Sequence, residues 1–132
     1  MAGVLADGVN ATLSGLLDLQ IQPARLLTDF TVTAGPGAAL LNASLVAGLG
    51  LAISRLAGVQ LSGPVIAGVL TMFGFGLFGK TPVNALPIVA GVWLASRIAR
   101  RRFAEYLIIA LFGTALGPIV SFLMIESGLG LF

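Results

Sequence analysis

The chain has 132 residues, of which 58% are hydrophobic and 9% charged, with a net charge of +2. A soluble domain this small is mostly surface and carries about 25% charged residues, so the apolar excess predicts an integral membrane protein whose main partner is the lipid bilayer. The absence of Cys and His excludes disulfides, thiolate or imidazole metal sites, cysteine nucleophiles and Ser-His triads; no cofactor and no enzymatic activity are expected.

Residues 1–34 are the least hydrophobic stretch, with Asp7, Asp18, Arg25 and Asp29 spread through it and Pro23 interrupting it. The start, MAGVLADG, lacks a basic n-region, so no cleavable signal peptide is expected. Val9, Leu13, Leu16, Leu17 and Gln20 follow helical spacing. That pattern suits a short amphipathic helix at the membrane interface, or a packed, partly polar helix within a bundle.

Four apolar segments follow. Residues 37–54 hold one strongly polar side chain, Asn42, and at 1.5 Å per residue they span roughly 27 Å, close to the thickness of a hydrocarbon core. Pro36 suits the helix start and Arg55 closes its far end. Residues 61–79 are uncharged, with a last third rich in Gly and Phe. Residues 83–96 contain Pro87 and reach only roughly 21 Å, which is short for a crossing. Residues 106–125 form the last span, carrying Pro118 and ending at Glu126. Together these predict an all-α, polytopic transmembrane bundle forming one domain, with one helix discontinuous. Between the last two segments stand Arg97, Arg100, Arg101 and Arg102. Flanked by apolar runs, with Trp93 and Tyr106 beside them, they read as a cytoplasmic topological anchor in a multi-pass inner-membrane protein rather than as a nucleic-acid site.

The stretch GFGLFGKT, Gly74 to Thr81, satisfies two phosphate-binding patterns at once, the dinucleotide glycines and the P-loop. Both need a strand feeding a helix, and an acidic residue placed downstream. The five acids stand at positions 7, 18, 29, 105 and 126, and none occupies such a place. The match is a coincidence of composition. Gly and Pro breaks around a lysine suit a discontinuous membrane helix, where helix ends offer unpaired N–H and C=O groups to a solute. The plainer alternative is that Lys80 caps a hairpin at the lipid–water boundary and snorkels there.

Asn42 inside a span is expected to bond another helix. Asp29, Glu105 and Glu126 read as boundary residues, although Asp29, Lys80 and Glu126 share one predicted side and could pair in a cavity. Ala39, Ala43 and Ala47 lie four apart, as do Gly113 and Gly117, a spacing that lets membrane helices approach closely within or between chains.

The strings TVTAGPGAALLNASLV, GFGLFGKTPVNALPIVAGVWLA and EYLIIALFGTALGPIVSFL resemble a family of bacterial and archaeal multi-pass membrane proteins known only as a domain of unknown function. The resemblance runs from about Asp29 to Phe122, and its most specific pieces are Phe78-Gly79-Lys80 with Asn84 and Pro87, and residues 34–43. It implies an integral membrane protein, and a single half or short relative of a longer arrangement. It adds weight to Asn42, Gly79, Lys80 and Asn84 without supplying an activity. The expectation is a small channel or transporter subunit, acting as a homo-oligomer on a small polar or anionic solute. Asn42, Gly79, Lys80, Thr81 and Asn84 would form its binding site. The rival is a non-transporting membrane scaffold, in which Lys80 is only a boundary cation.

Overall fold

The computed structural model describes residues 8–21 and 29–123; Asp7, Pro23, Arg25 and Glu126, with whatever the sequence leads one to expect of them, lie outside the described residues. Every element is helical: α1 (Val9–Ile21), α2 (Phe30–Ala34), α3 (Pro36–Leu56), α4 (Gly63–Gly76), α5 (Pro82–Ile98), α6 (Phe103–Gly113), a 3-10 turn (Thr114–Leu116) and α7 (Gly117–Ser121). The expected all-α class is correct, and among the described residues no strand precedes Gly74 to deliver a phosphate-binding loop.

Local chemistry sets the boundaries. Pro36, Pro64 and Pro82 each stand in the first turn of a helix, where the missing N–H costs nothing and the fixed φ already fits. The second apolar segment stops at Gly76, short of the expected Gly79, because the chain turns there and Gly79 takes φ +95°. The third runs as a helix from Pro82 to Ile98, straight through Pro87. At the end of α5, Arg100 adopts φ 55°, a left-handed conformation usually left to glycine, and the amide of Arg101 reaches back to the carbonyl of Ser96 at 2.9 Å.

Helices α3 to α6 pack as a bundle in which α3 touches α4, α5 and α6, α6 also touches α4 and α5, and α4 and α5 do not pack on each other. Gly50 of α3 lies against Met72 of α4, Gly68 of α4 against Leu111 of α6, and Gly113 at the end of α6 against Ile88 of α5. The central core is Val46, Ile53, Val65, Val69, Met72, Leu107 and Leu111. Helices α1 and α2 pack on the first half of α3, where Leu19, Phe30, Ala38 and Ala39 make a second cluster. The packed face of α1 carries Thr12, Gly15 and Leu19. Gly15 sits so near Ala34 and Ala38 that a Cβ there would stand 2.8 Å from the Ala34 carbonyl oxygen, while Val9, Leu13 and Leu17 face outward.

The bundle is apolar on both sides of its helices. Inward positions of α3 hold Ala38, Ala39, Asn42, Ala43, Gly50 and Ser54, while Leu45, Leu51, Ile66, Leu70, Leu86, Leu94 and Ile109 are exposed. Small and polar groups thus share the interior with Val46 and Ile53, while large apolar groups also cover much of the outside. Two runs, Pro36–Leu56 and Phe103–Val120, are long and apolar enough to cross a membrane; α4 and α5, with 14 and 17 residues, are shorter.

Candidate functional site

The site is the turn between α4 and α5, and it is built from glycines outward. Gly76 lets the end of α4 press onto α3, since a Cβ there would lie 2.5 Å from Ala43 Cα. Three amides close the end of α4: Leu77 donates to Gly74, and Phe78 and Lys80 donate to Phe75, at 3.0 to 3.1 Å. Gly79, in its left-handed conformation, reverses the chain into Thr81. Thr81 then caps α5 in a capping box with Asn84: the Asn84 amide donates to Thr81 Oγ1 at 3.2 Å, and the Thr81 amide donates to Asn84 Oδ1 at 2.9 Å. Asn84 Nδ2 also donates to the Gly79 carbonyl at 2.9 Å. Gly117 of α7 makes room for this side chain, because a Cβ there would collide with Asn84 Oδ1.

Asn42 fastens the turn to α3. Its Nδ2 donates to the carbonyls of Gly76 at 2.7 Å and Lys80 at 2.8 Å, and its Oδ1 accepts from Gln20 Nε2 of α1 at 3.1 Å. The expected helix-to-helix role of Asn42 is therefore the one observed, and Gln20 extends it to α1. Above the turn, the Phe30 amide at the start of α2 donates to the Leu77 carbonyl at 3.0 Å, and the Phe30 side chain is fully buried. Asn42 is six residues into α3, so the turn lies about 9 Å inside the end of that helix. The part of the turn that bonds Asn42 is thus packed beside α3, with Lys80 and Thr81 buried and Phe78 exposed.

Lys80 is carried on that turn, and its residue exposure is 0%, so it does not snorkel to an interface. Its ammonium donates to Thr114 Oγ1 at 2.9 Å and sits 5.4 Å from the centre of the Phe75 ring. Thr114 passes its own proton to the Leu111 carbonyl at 2.6 Å. An ammonium has three N–H donors; no other acceptor bonds Lys80 among the described residues, and no carboxylate there pairs with it. Asp29 is exposed and turned to its own helix, accepting from the Thr31 amide at 2.9 Å and from the Thr31 hydroxyl. The suggested pairing with Glu126 concerns a residue outside the described ones. Among the described residues, the buried Gln20 Oε1 has no hydrogen-bond partner.

Thr114 stands where it does because of Pro118. Without an N–H, Pro118 cannot bond the Thr114 carbonyl four residues back. Gly117 donates to that carbonyl instead, and the helix tightens into a 3-10 turn at Thr114–Leu116. Of the five expected site residues, the structure brings Asn42, Gly79, Lys80, Thr81 and Asn84 into one hydrogen-bonded knot. Phe75 and Thr114 complete it without having been expected in a site, and so does Gln20, expected only as part of a helical face; a hydroxyl four residues before a proline in an apolar run is a signal for Thr114. Among the described residues no three carboxylates gather to hold a metal ion, and the electrostatics of the knot are those of one cation.

The family model described as "Protein of unknown function (DUF1576)" matches residues 9–131. No curated protein and no solved structure matches the chain.

Proposed function

The chain belongs to the DUF1576 family, whose name carries no activity, and we propose from the site itself that it is a small membrane channel or transporter subunit acting on an anionic or strongly polar solute. The observation that carries this reading is Lys80: a fully buried ammonium with a single hydroxyl as hydrogen-bonded partner. A charge withdrawn from water is costly unless other donors and acceptors replace its hydration, and inside membrane proteins such a residue marks a solute pathway by default. A passing anion or polar oxygen would supply the acceptors that Lys80 lacks. Asn42, Gly79, Thr81 and Asn84 then act as the frame that holds the lysine at depth, and Lys80 is the group that meets the solute.

In this reading all four long helices, α3 to α6, lie in the inner membrane. Helices α3 and α6–α7 span it fully, α4 and α5 are joined by a turn inside it, and the loop of Arg97 to Arg102 lies on the cytoplasmic side. Ser44, Gly48 and Ala52 stand four apart on the exposed side of α3, with open space at Gly48, a surface on which copies of the chain would assemble.

The test is flux through reconstituted liposomes, measured with a panel of small anions and neutral polar solutes. Lys80→Met should lower anion flux about tenfold to a hundredfold, the worth of one hydrogen bond to a charged group, while Lys80→Arg should keep most of it. A Lys80→Ala protein that folds and transports normally removes Lys80 from the role.

One observation favours the rival reading, a non-transporting membrane scaffold. Asn42, Thr81 and Asn84 all spend hydrogen bonds within the fold, which makes the knot a structural clamp as well. Wild-type liposomes that pass no solute faster than empty ones would decide for the scaffold.

A further inference from the structure

At the opposite end of the bundle two cavities adjoin. One, of about 570 Å³, is walled mainly by apolar side chains of α3, α5 and α6, among them Ile53, Leu86, Val89 and Trp93, and it opens at Arg97 and Arg102. The other, of about 500 Å³, is lined by Arg97, Arg100, Arg101, Arg102 and Phe103 alone. They share Arg97, Arg102 and Phe103, so they adjoin as an amphipathic recess, the first part largely apolar and the second cationic.

We propose that this recess holds one anionic phospholipid, its phosphate between Arg97 and Arg102 and an acyl chain along α5. Charge favours it: no carboxylate lines either cavity, and Glu105, the acid nearest in sequence, is turned to Arg101 at 3.7 Å. Geometry favours it as well. From Arg97 to Leu86 is eleven residues of helix, about 16 Å, close to half of a hydrocarbon core of about 30 Å, the depth of one leaflet. Arg97 is held in place by stacking over Trp93, 5.1 Å from the ring centre, and no side chain caps the start of α6 at Arg102, leaving first-turn amides for an anion. Clustered arginines at the membrane boundary are the chemistry that recognises lipid phosphates.

The inference rests on the membrane reading above but not on transport. The full chain, purified in detergent, is examined by native mass spectrometry with dioleoyl phosphatidylglycerol and with phosphatidylcholine bearing the same chains. Two arginines near a phosphate predict one retained lipid per chain and a preference of roughly thirtyfold for the anionic headgroup. The preference should vanish in Arg97→Gln/Arg102→Gln and survive in Arg97→Lys/Arg102→Lys. Ala90→Phe, which fills the apolar wall without changing charge, should also release the lipid. Equal retention of both lipids overturns the site. So does full competition by inorganic phosphate, indifference to Ala90→Phe, or a dimer that excludes lipid because a second copy occupies the recess. A chain that stays dispersed without any amphiphile overturns the membrane reading itself, whereas a detergent-dependent chain with no headgroup preference overturns this site alone.

Discussion

A buried ammonium is tolerable only when its surroundings replace what water gave it, and around Lys80 that replacement is incomplete: one hydroxyl and one ring face. Its backbone is better served, because Asn42 takes the carbonyls of both Gly76 and Lys80. Asn42→Ala would leave those two buried carbonyls unmatched, at a cost of roughly 2 kcal/mol or more, and thermal unfolding in detergent should show the drop. Asn42→Gln, a longer amide in a site shut by Ala43 and Gly76, should not restore it. Much of this was legible in the sequence, since Gly79, Lys80, Thr81, Pro82 and Asn84 follow one another as a turn and a helix cap do. What Lys80 touches was not legible. Thr114 is 34 positions away and Gln20 is 22 positions from Asn42, and only packing brings them in.

Among the elements, α2 shows how little sequence a helix needs when its ends are fixed. Its five residues are capped by Asp29, whose side chain accepts from Thr31, and its first amide is tied to the hairpin turn below. The hydroxyl and amide of Thr31 hold the Asp29 carboxyl below its ordinary range. A carboxyl with a depressed pKa contributes its full stabilisation above the unfolded value of about 3.9 and loses it as pH falls through the folded value. Thermal stability should therefore decline as the pH falls below about 4, and less steeply in Asp29→Asn, which keeps a capping oxygen without a titrating group. Equal acid profiles for the two proteins would refute that role. Helix existence was readable from the apolar runs, but the ends were not. The third segment, apparently too short at residues 83–96, gains a turn from Pro82 and from the Arg97–Ile98 end, where charge hid the continuing helix. The last begins at Phe103, ahead of the apolar run, because Glu105 is acceptable in a first turn.

For the whole molecule, the shortage of charge was the clearest signal, and the many large apolar side chains on the outside agree with it, among them Leu45, Leu70, Leu94 and Ile109. The same property explains why facing could not be read. When both sides of a helix are apolar, periodicity gives no direction, and α1 turned Leu13 and Leu17 outward and Thr12, Gly15 and Leu19 in. The alanine and glycine spacings were better guides. Ala39 and Ala43 are buried, Gly76 lies on Ala43 and Gly117 on Asn84, so these contacts serve the fold of one chain. The face left for a second copy is that of Ser44, Gly48 and Ala52. A Cβ at Gly48 would have nothing within 4 Å, so Gly48→Leu should leave the unfolding temperature nearly unchanged. On the assembly reading it shifts cross-linked oligomers to monomers in detergent; an unaltered cross-linking ladder would exclude that face.

The turn between α4 and α5 also bears on biogenesis. In a bilayer, a lysine at the centre of a nascent span opposes insertion by about 2.5–3.5 kcal/mol, and the arms of 14 and 17 residues offer little hydrocarbon contact to offset it. Helix α3 leaves the ribosome first and already holds Asn42 for the exposed carbonyls, but Thr114 is translated 34 residues after Lys80. Between those moments the lysine has no hydroxyl to bond. On the membrane reading, α4, the turn and α5 would rest beside α3 until the last helix brings Thr114 to Lys80.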